Sequence, residues 1–132
     1  MKSSYQTGID TNTIVLSVKT GTMGTAYTAV YLILSGGQKT KIAESDLQSG
    51  NIPNRTVGQA IQIKNGYLKI RTRVNFSNID SSQWANQAGK IIIKYTLGGG
   101  FSGNENFDND AGDADIIDNG KTVVITKIIQ LL

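Results

Sequence analysis

The stretch QAIQIKNGYLKIRTRVNF, residues 59–76, decides the fold class. Its apolar and polar residues alternate on both sides of Asn65-Gly66, a dipeptide that readily takes the positive φ angles of a two-residue type I′ turn. The pattern predicts a β-hairpin over Gln59 to Phe76, with Lys64 facing Tyr67, Ile63 facing Leu68 and Ile61 facing Ile70. In that register Ile61, Ile63, Leu68, Ile70, Val74 and Phe76 share one face, and Gln62, Lys64, Tyr67, Lys69, Arg71 and Arg73 share the other. A strand that is apolar on one side needs a second layer across that side.

Working outward, period two recurs along the chain. Ile14, Leu16 and Val18 alternate with Thr13, Val15 and Ser17. Ala26 to Leu34 places Tyr27, Ala29, Tyr31 and Ile33 on one face and Thr28, Val30, Leu32 and Leu34 on the other. Ser35-Gly36-Gly37-Gln38 then supplies a tight turn into a shorter strand, Lys39 to Ala43. Lys90 to Leu97 reads as a further strand. In Thr122 to Leu132, Val123, Ile125, Ile129 and Leu131 alternate with Val124, Ile128 and Leu132, so both faces are apolar. Such a strand is central in its sheet or covered by another subunit. The alternation breaks at Asn78 to Gly89, where Asp80 is expected to cap a short helical turn through Ser81, Ser82 and Gln83, with Trp84 packing back on the sheet. No segment carries a helical stripe of useful length. These elements predict an all-β chain, one antiparallel β-sandwich domain over residues 1–132, jelly-roll-like, with an immunoglobulin-like sandwich as the alternative.

The composition excludes much chemistry. The chain has 132 residues, no histidine, no cysteine and a single proline, Pro53. A Ser-His-Asp or Cys-His nucleophile, an imidazole metal site and a disulfide are therefore ruled out. A net charge of +3 is too small to argue for nucleic acid. No apolar h-region precedes Ile14 and the longest apolar run, Ala29 to Leu34, cannot span a bilayer, so the expectation is synthesis in the cytosol without a signal peptide or membrane span.

Charge is unevenly distributed. Six of the ten acidic residues, Glu105, Asp108, Asp110, Asp113, Asp115 and Asp118, fall in one short stretch, while eleven of the thirteen lysines and arginines precede it. Asp108, Asp110, Asp113 and Asp115 offer alternate hard oxygen ligands of the kind calcium takes. They miss the EF-hand pattern, whose bidentate glutamate is replaced by Asn119. The bland alternative is a solvated acidic loop, or one that docks on the basic face of another copy. That basic face is Lys64, Lys69, Arg71 and Arg73 around Tyr67. A basic stripe with an aromatic can also track a phosphate backbone, but one interleaved aromatic is few for that task.

Two further patterns carry weaker chemistry. Gly98-Gly99-Gly100-Phe101-Ser102-Gly103 has G-x-G-x-x-G spacing, yet a carboxylate-rich segment follows where a dinucleotide fold needs a helix. Tyr5, Tyr27, Tyr31, Tyr67, Tyr95 and Trp84 include possible sugar-stacking surfaces. The leading expectation is a non-enzymatic structural subunit of a larger particle, most simply a virion capsid, vertex, fibre or tail-like component. Its partners are copies of itself or other subunits, with Lys64, Lys69, Arg71 and Arg73 facing the acids of 105–118, Glu105 and Asp118 among them. The alternative is a carbohydrate-binding sandwich module whose acidic loop holds calcium.

Overall fold

The computed structural model describes residues 3–132. The strands are β1 (Ser3–Tyr5), β2 (Thr13–Gly21), β3 (Thr25–Ile33), β4 (Lys39–Glu44), β5 (Ile52–Gln59), β6 (Tyr67–Asn75), β7 (Ile92–Gly100), β8 (Gly103–Asp108), β9 (Ala114–Ile117) and β10 (Thr122–Leu131). Two short helices interrupt them, α1 (Ala60–Ile63) and α2 (Trp84–Ala88). The larger sheet runs β1-β10-β6-β3-β4, with β9 also paired to β10, and the smaller runs β5-β2-β7-β8. The sheets pack face to face, so the chain is an all-β sandwich. Pairing is antiparallel between strands except for β1, which lies parallel to β10.

The alternation explains the core. Ile14, Leu16 and Val18 of β2 and Ile93, Tyr95 and Leu97 of β7 face inward from one sheet. Val30, Leu32, Leu68, Ile70, Val74, Val123, Ile125 and Ile129 face them from the other. Thr28 and Thr72 are wholly buried between these residues and satisfy each other, hydroxyl to hydroxyl, at 2.8 Å across the β3–β6 pair. The β3–β4 hairpin closes where the glycines stand, with Leu34 N–H donating to the Gln38 carbonyl at 2.9 Å. Strand β10 is internal to its sheet, paired to β6 on one edge and to β9 and β1 on the other. A short 3-10 turn does follow Asp80, although its carboxylate accepts from the Ser82 hydroxyl and caps no backbone N–H. Trp84 packs on the core and donates its indole N–H to the Phe76 carbonyl at 2.9 Å.

One expectation is overturned: residues 59–76 do not form a hairpin. Strand β5 ends at Gln59 and belongs to the smaller sheet, and the chain then makes one turn of helix and enters β6 in the other sheet. Ile63 is buried and Ile61 is exposed. The spacing of Ile61 and Ile63 suits a strand or a helical turn alike, and packing selects between them. Ala60 and Ile61 donate to the carbonyls of Asn12 and Asp10 at 2.9 Å each, which anchors the turn on the β1–β2 connection. Strand β6 is paired over its whole length to β3 on one edge and β10 on the other, so no edge is left for the expected partner. Asn65 does take a positive φ of 70°, but it follows α1 instead of joining two strands. Lys64 consequently sits at the end of the sandwich, off the β6 stripe.

Gly99 shows how closely β7 approaches β2. Its φ is +90°, and a Cβ there would lie far inside contact distance of the Thr13 carbonyl oxygen. Gly99→Ala should lower stability by about 3 kcal/mol through backbone strain and displacement, measured as the urea midpoint. Gly112, with open space around it, is the control, and Gly112→Ala should stay within about 0.5 kcal/mol of the parent. Equal midpoints for the two variants would refute the close approach.

Candidate functional site

The acidic stretch does not form one patch. Residues 109–113 cross from β8 in the smaller sheet to β9 in the larger, closing one side of the sandwich. Asn109 fastens the start of the crossing: its amide nitrogen donates to the Ile91 carbonyl at 3.0 Å, and its oxygen accepts from Ile93 N–H at 2.8 Å. Behind the crossing lies Lys127, on the inward face of β10 and only 3% exposed. Its ammonium donates to the Asp108 carbonyl at 2.7 Å and to Asp110 Oδ2 at 3.0 Å, with Asp113 Oδ2 at 3.9 Å. Asp113 also accepts from the Asp110 backbone N–H at 3.0 Å, which ties the two acids together. The cation these carboxylates surround is therefore an ammonium of the chain itself. The wholly buried Tyr95 hydroxyl has no hydrogen-bond partner in the protein, and burial, with the nearby Asp113 and Asp110, holds its pKa far above the usual phenol range.

The remaining acids go elsewhere. Glu105 pairs opposite Leu97 on β8, half-buried and near Tyr5, whose pKa is raised first by burial and also by this carboxylate. Asp108 lies opposite Lys94, Asp115 opposite Val124, and Asp118 occupies a left-handed position with φ 53° in the turn before β10. Of the four aspartates expected to share calcium, the fold brings Asp110 and Asp113 together and leaves the side chains of Asp108 and Asp115 apart from them. Among the described residues no three acidic side chains are gathered closely enough to share a metal ion.

The basic stripe is a real surface with a different membership. Lys69, Arg71 and Arg73 lie on the outer face of β6, directly beside Tyr31, Ala29 and Tyr27 of β3. Lys41 and Glu44 of β4 flank that row, opposite Tyr31 and Ala29. Lys39 stands over the Tyr31 ring at 4.5 Å and Lys41 over Tyr27 at 5.7 Å. Glu44 accepts from Lys41 at 2.6 Å and from the Tyr27 hydroxyl, and Lys41 holds its carboxyl below the usual range. The ion pairs among the described residues involve only Lys41 and Lys127, so Arg71 and Arg73 have no acidic partner there. Tyr27, Ala29, Tyr31, Arg71 and Arg73 line a groove of about 210 Å³. Reading residues 59–76 alone missed Lys39 and Lys41, although the β3–β4 hairpin register places both on the tyrosine face.

Other aromatic candidates are spent on structure. Tyr5 and Tyr95 are core residues, and Trp84 is tied to Phe76. The glycine-rich stretch is the β7–β8 hairpin: Gly100 N–H donates to the Tyr5 hydroxyl at 2.8 Å, which donates to the Gly103 carbonyl at 2.6 Å. It forms no phosphate loop. Its tip residue Phe101 is 81% exposed and, with Ile9, Lys64 and Leu132, lines a cavity of about 450 Å³ at the end of the sandwich. No helix among the described residues is long and apolar enough to cross a membrane. Comparison of the chain with family models, curated proteins and solved structures finds no match.

The Lys127 cluster predicts an asymmetry. Asp110→Asn with Asp113→Asn strands a buried ammonium and should cost about 2–3 kcal/mol, less than a fully buried pair because Asp110 is 45% exposed. Lys127→Met leaves acids that water can reach and should cost under about 1 kcal/mol. Equal losses in urea denaturation would contradict this account. Because the Lys127 ammonium already occupies the position between Asp110 and Asp113, EDTA should leave the melting temperature unchanged. A fall of several degrees on chelation would mean that the loop holds a metal.

Proposed function

We propose that the chain is a non-enzymatic assembly subunit whose copies add end to end within a larger particle, of the capsid, vertex, fibre or tail-like kind found in virions. One observation carries the reading. The exposed large apolar side chains fall at the two ends of the sandwich: Ile9, Ile61, Phe101 and Leu132 at one, and Met23, Leu47, Ile92, Ile116 and Ile117 at the other. Contiguous exposed apolar groups mark contact surfaces in soluble proteins. A contact between unlike ends is heterologous and builds a ring or a filament, according to whether its rotation closes.

Charge supports the same contact at its rim. Asp10 and Lys64 stand at the first end, Asp118 and Lys121 at the second, so opposite signs are available on both. This keeps Lys64 and Asp118 as interface residues. It removes the β6 stripe from the contact, because the acids expected to face it are spread over five places, with Asp110 and Asp113 gathered at Lys127. The absence of imidazole and thiol groups from the whole chain favours a role without catalysis.

Light scattering of the purified chain should give a mass well above 14.2 kDa. High salt should leave that mass unchanged, since apolar burial is not screened as surface charge is. Phe101→Asp combined with Ile9→Asp should give a monomer with an unaltered circular dichroism spectrum. A monomeric parent at the highest soluble concentration would overturn the proposal. Dissociation in 1 M salt would return the contact to charge pairing.

A further inference from the structure

We propose that the groove on the outer face of the larger sheet binds an acidic sugar unit of a polysaccharide. The groove arises from simple alternation. Tyr27, Ala29 and Tyr31 stand in line on the outward side of β3, the tyrosines about 14 Å apart along the strand. Ala29 between them leaves a dip that any larger residue would fill. On the adjoining strand Arg71 lies directly opposite Ala29 and Arg73 directly opposite Tyr27. The dip therefore has aromatic walls along one strand and two guanidinium groups along the next.

The electrostatics point to an anion. Arg71 and Arg73 repel each other and have no carboxylate within ion-pairing distance among the described residues. Glu44, opposite Ala29 on this face, is held by Lys41 and the Tyr27 hydroxyl. Asp115, two strands from Arg73 across Val124, makes no ion pair among the described residues. Guanidinium forks match a carboxylate in bidentate geometry. Tyrosine rings pack on the apolar C–H face of a pyranose while their hydroxyls stay wet. A ring compound carrying a carboxylate satisfies both halves of the site, which neither a neutral sugar nor a free anion does.

Size decides the occupant. About 210 Å³ closed off by Tyr27 and Tyr31 suits one sugar ring. A nucleic-acid strand needs an open path with successive stacking residues, and this chain carries a net charge of only +3. The acids of a second copy are too dispersed to enter the dip together. The site lies on the flank, so it stands or falls independently of contacts at the ends.

The test is a glycan array carrying oligogalacturonate, alginate, hyaluronan and sialyllactose beside their methyl esters, followed by calorimetry on the best probe. At least one acidic glycan should be retained and its methyl ester lost. Arg71→Gln with Arg73→Gln should weaken the best probe by at least about tenfold, the loss of one charged hydrogen bond or more. Ala29→Leu, which fills the dip and leaves every charge in place, should weaken it comparably. The monomerising Phe101→Asp and Ile9→Asp changes should leave binding intact. Retention of esters and acids alike, no retention of any acidic glycan, or indifference to Ala29→Leu would overturn the proposal. So would tighter binding of a single-stranded oligothymidylate that the arginine variants abolish, which would assign the face to nucleic acid.

Discussion

Everything in the sandwich depends on the placement of β10 inside the larger sheet. Its nine residue pairs with β6 bring together strands far apart in sequence, and its other edge is shared between β9 at one end and β1 at the other. That division leaves the middle of the edge, around Lys127, without a strand partner. The segment 109–113 crosses there, and the lysine turned inward at that point is neutralised by the acids the crossing carries. A hydrophobic residue at 127 would cover the core as well. The lysine adds directionality, because its donors fix where a loop without regular structure must lie.

The open edges bear on how copies can meet. Strand β5 carries Pro53, which cannot donate to a ladder; β8 is short and points Glu105 inward; β4 is short and bears Lys39 and Lys41. Each feature discourages addition of another strand. Strands β4, β5 and β8 are blunted in this way, and β9 at the remaining edge bears the exposed Ile116 and Ile117. The exposed large apolar side chains of the described residues gather toward the ends, where burial has most to contribute. The outward residues of β10 fit this division. Val124 and Ile128 are only half-buried, but they lie beside Arg73 and Lys69, whose aliphatic stems can cover them while the charged heads stay in water.

Legibility in the sequence followed the physics of each element. Strands β2, β3 and β10 and the β3–β4 turn were readable because one face of each is buried, and a period of two records that directly. The stretch 59–63 was not, because two isoleucines two residues apart satisfy both a strand and a helical turn. Only the saturation of both β6 edges, a non-local fact, excludes the hairpin. Lys127 left a usable trace: it interrupts the inward series Ile125, Ile129, Leu131, so strand parity alone buries it and demands a counter-charge. Pairing it with Asp110 and Asp113 was within reach of sequence reasoning. The scattering of the other acids was not, since it follows from where the chain passes between sheets.

Function then divides by geometry. Charges that looked like two halves of one interface serve separate ends: Asp110 and Asp113 close the fold, while Arg71 and Arg73 have no acidic partner among the described residues and lie on a flank that the proposed end-to-end contacts would leave open. Under the two proposals, each added copy would present one more groove along the same particle. A single shallow site of this size has modest intrinsic affinity, since small ligands contribute little per site once ordering costs are met. Repetition changes that, because each further engagement on a polymeric glycan is effectively intramolecular and avidity rises by orders of magnitude without new contacts. A groove too small to hold a polysaccharide tightly in one copy is therefore consistent with strong retention by an assembly. Such an assembly would need its binding residues on the flank and its apolar residues at the ends, which is how this chain distributes them.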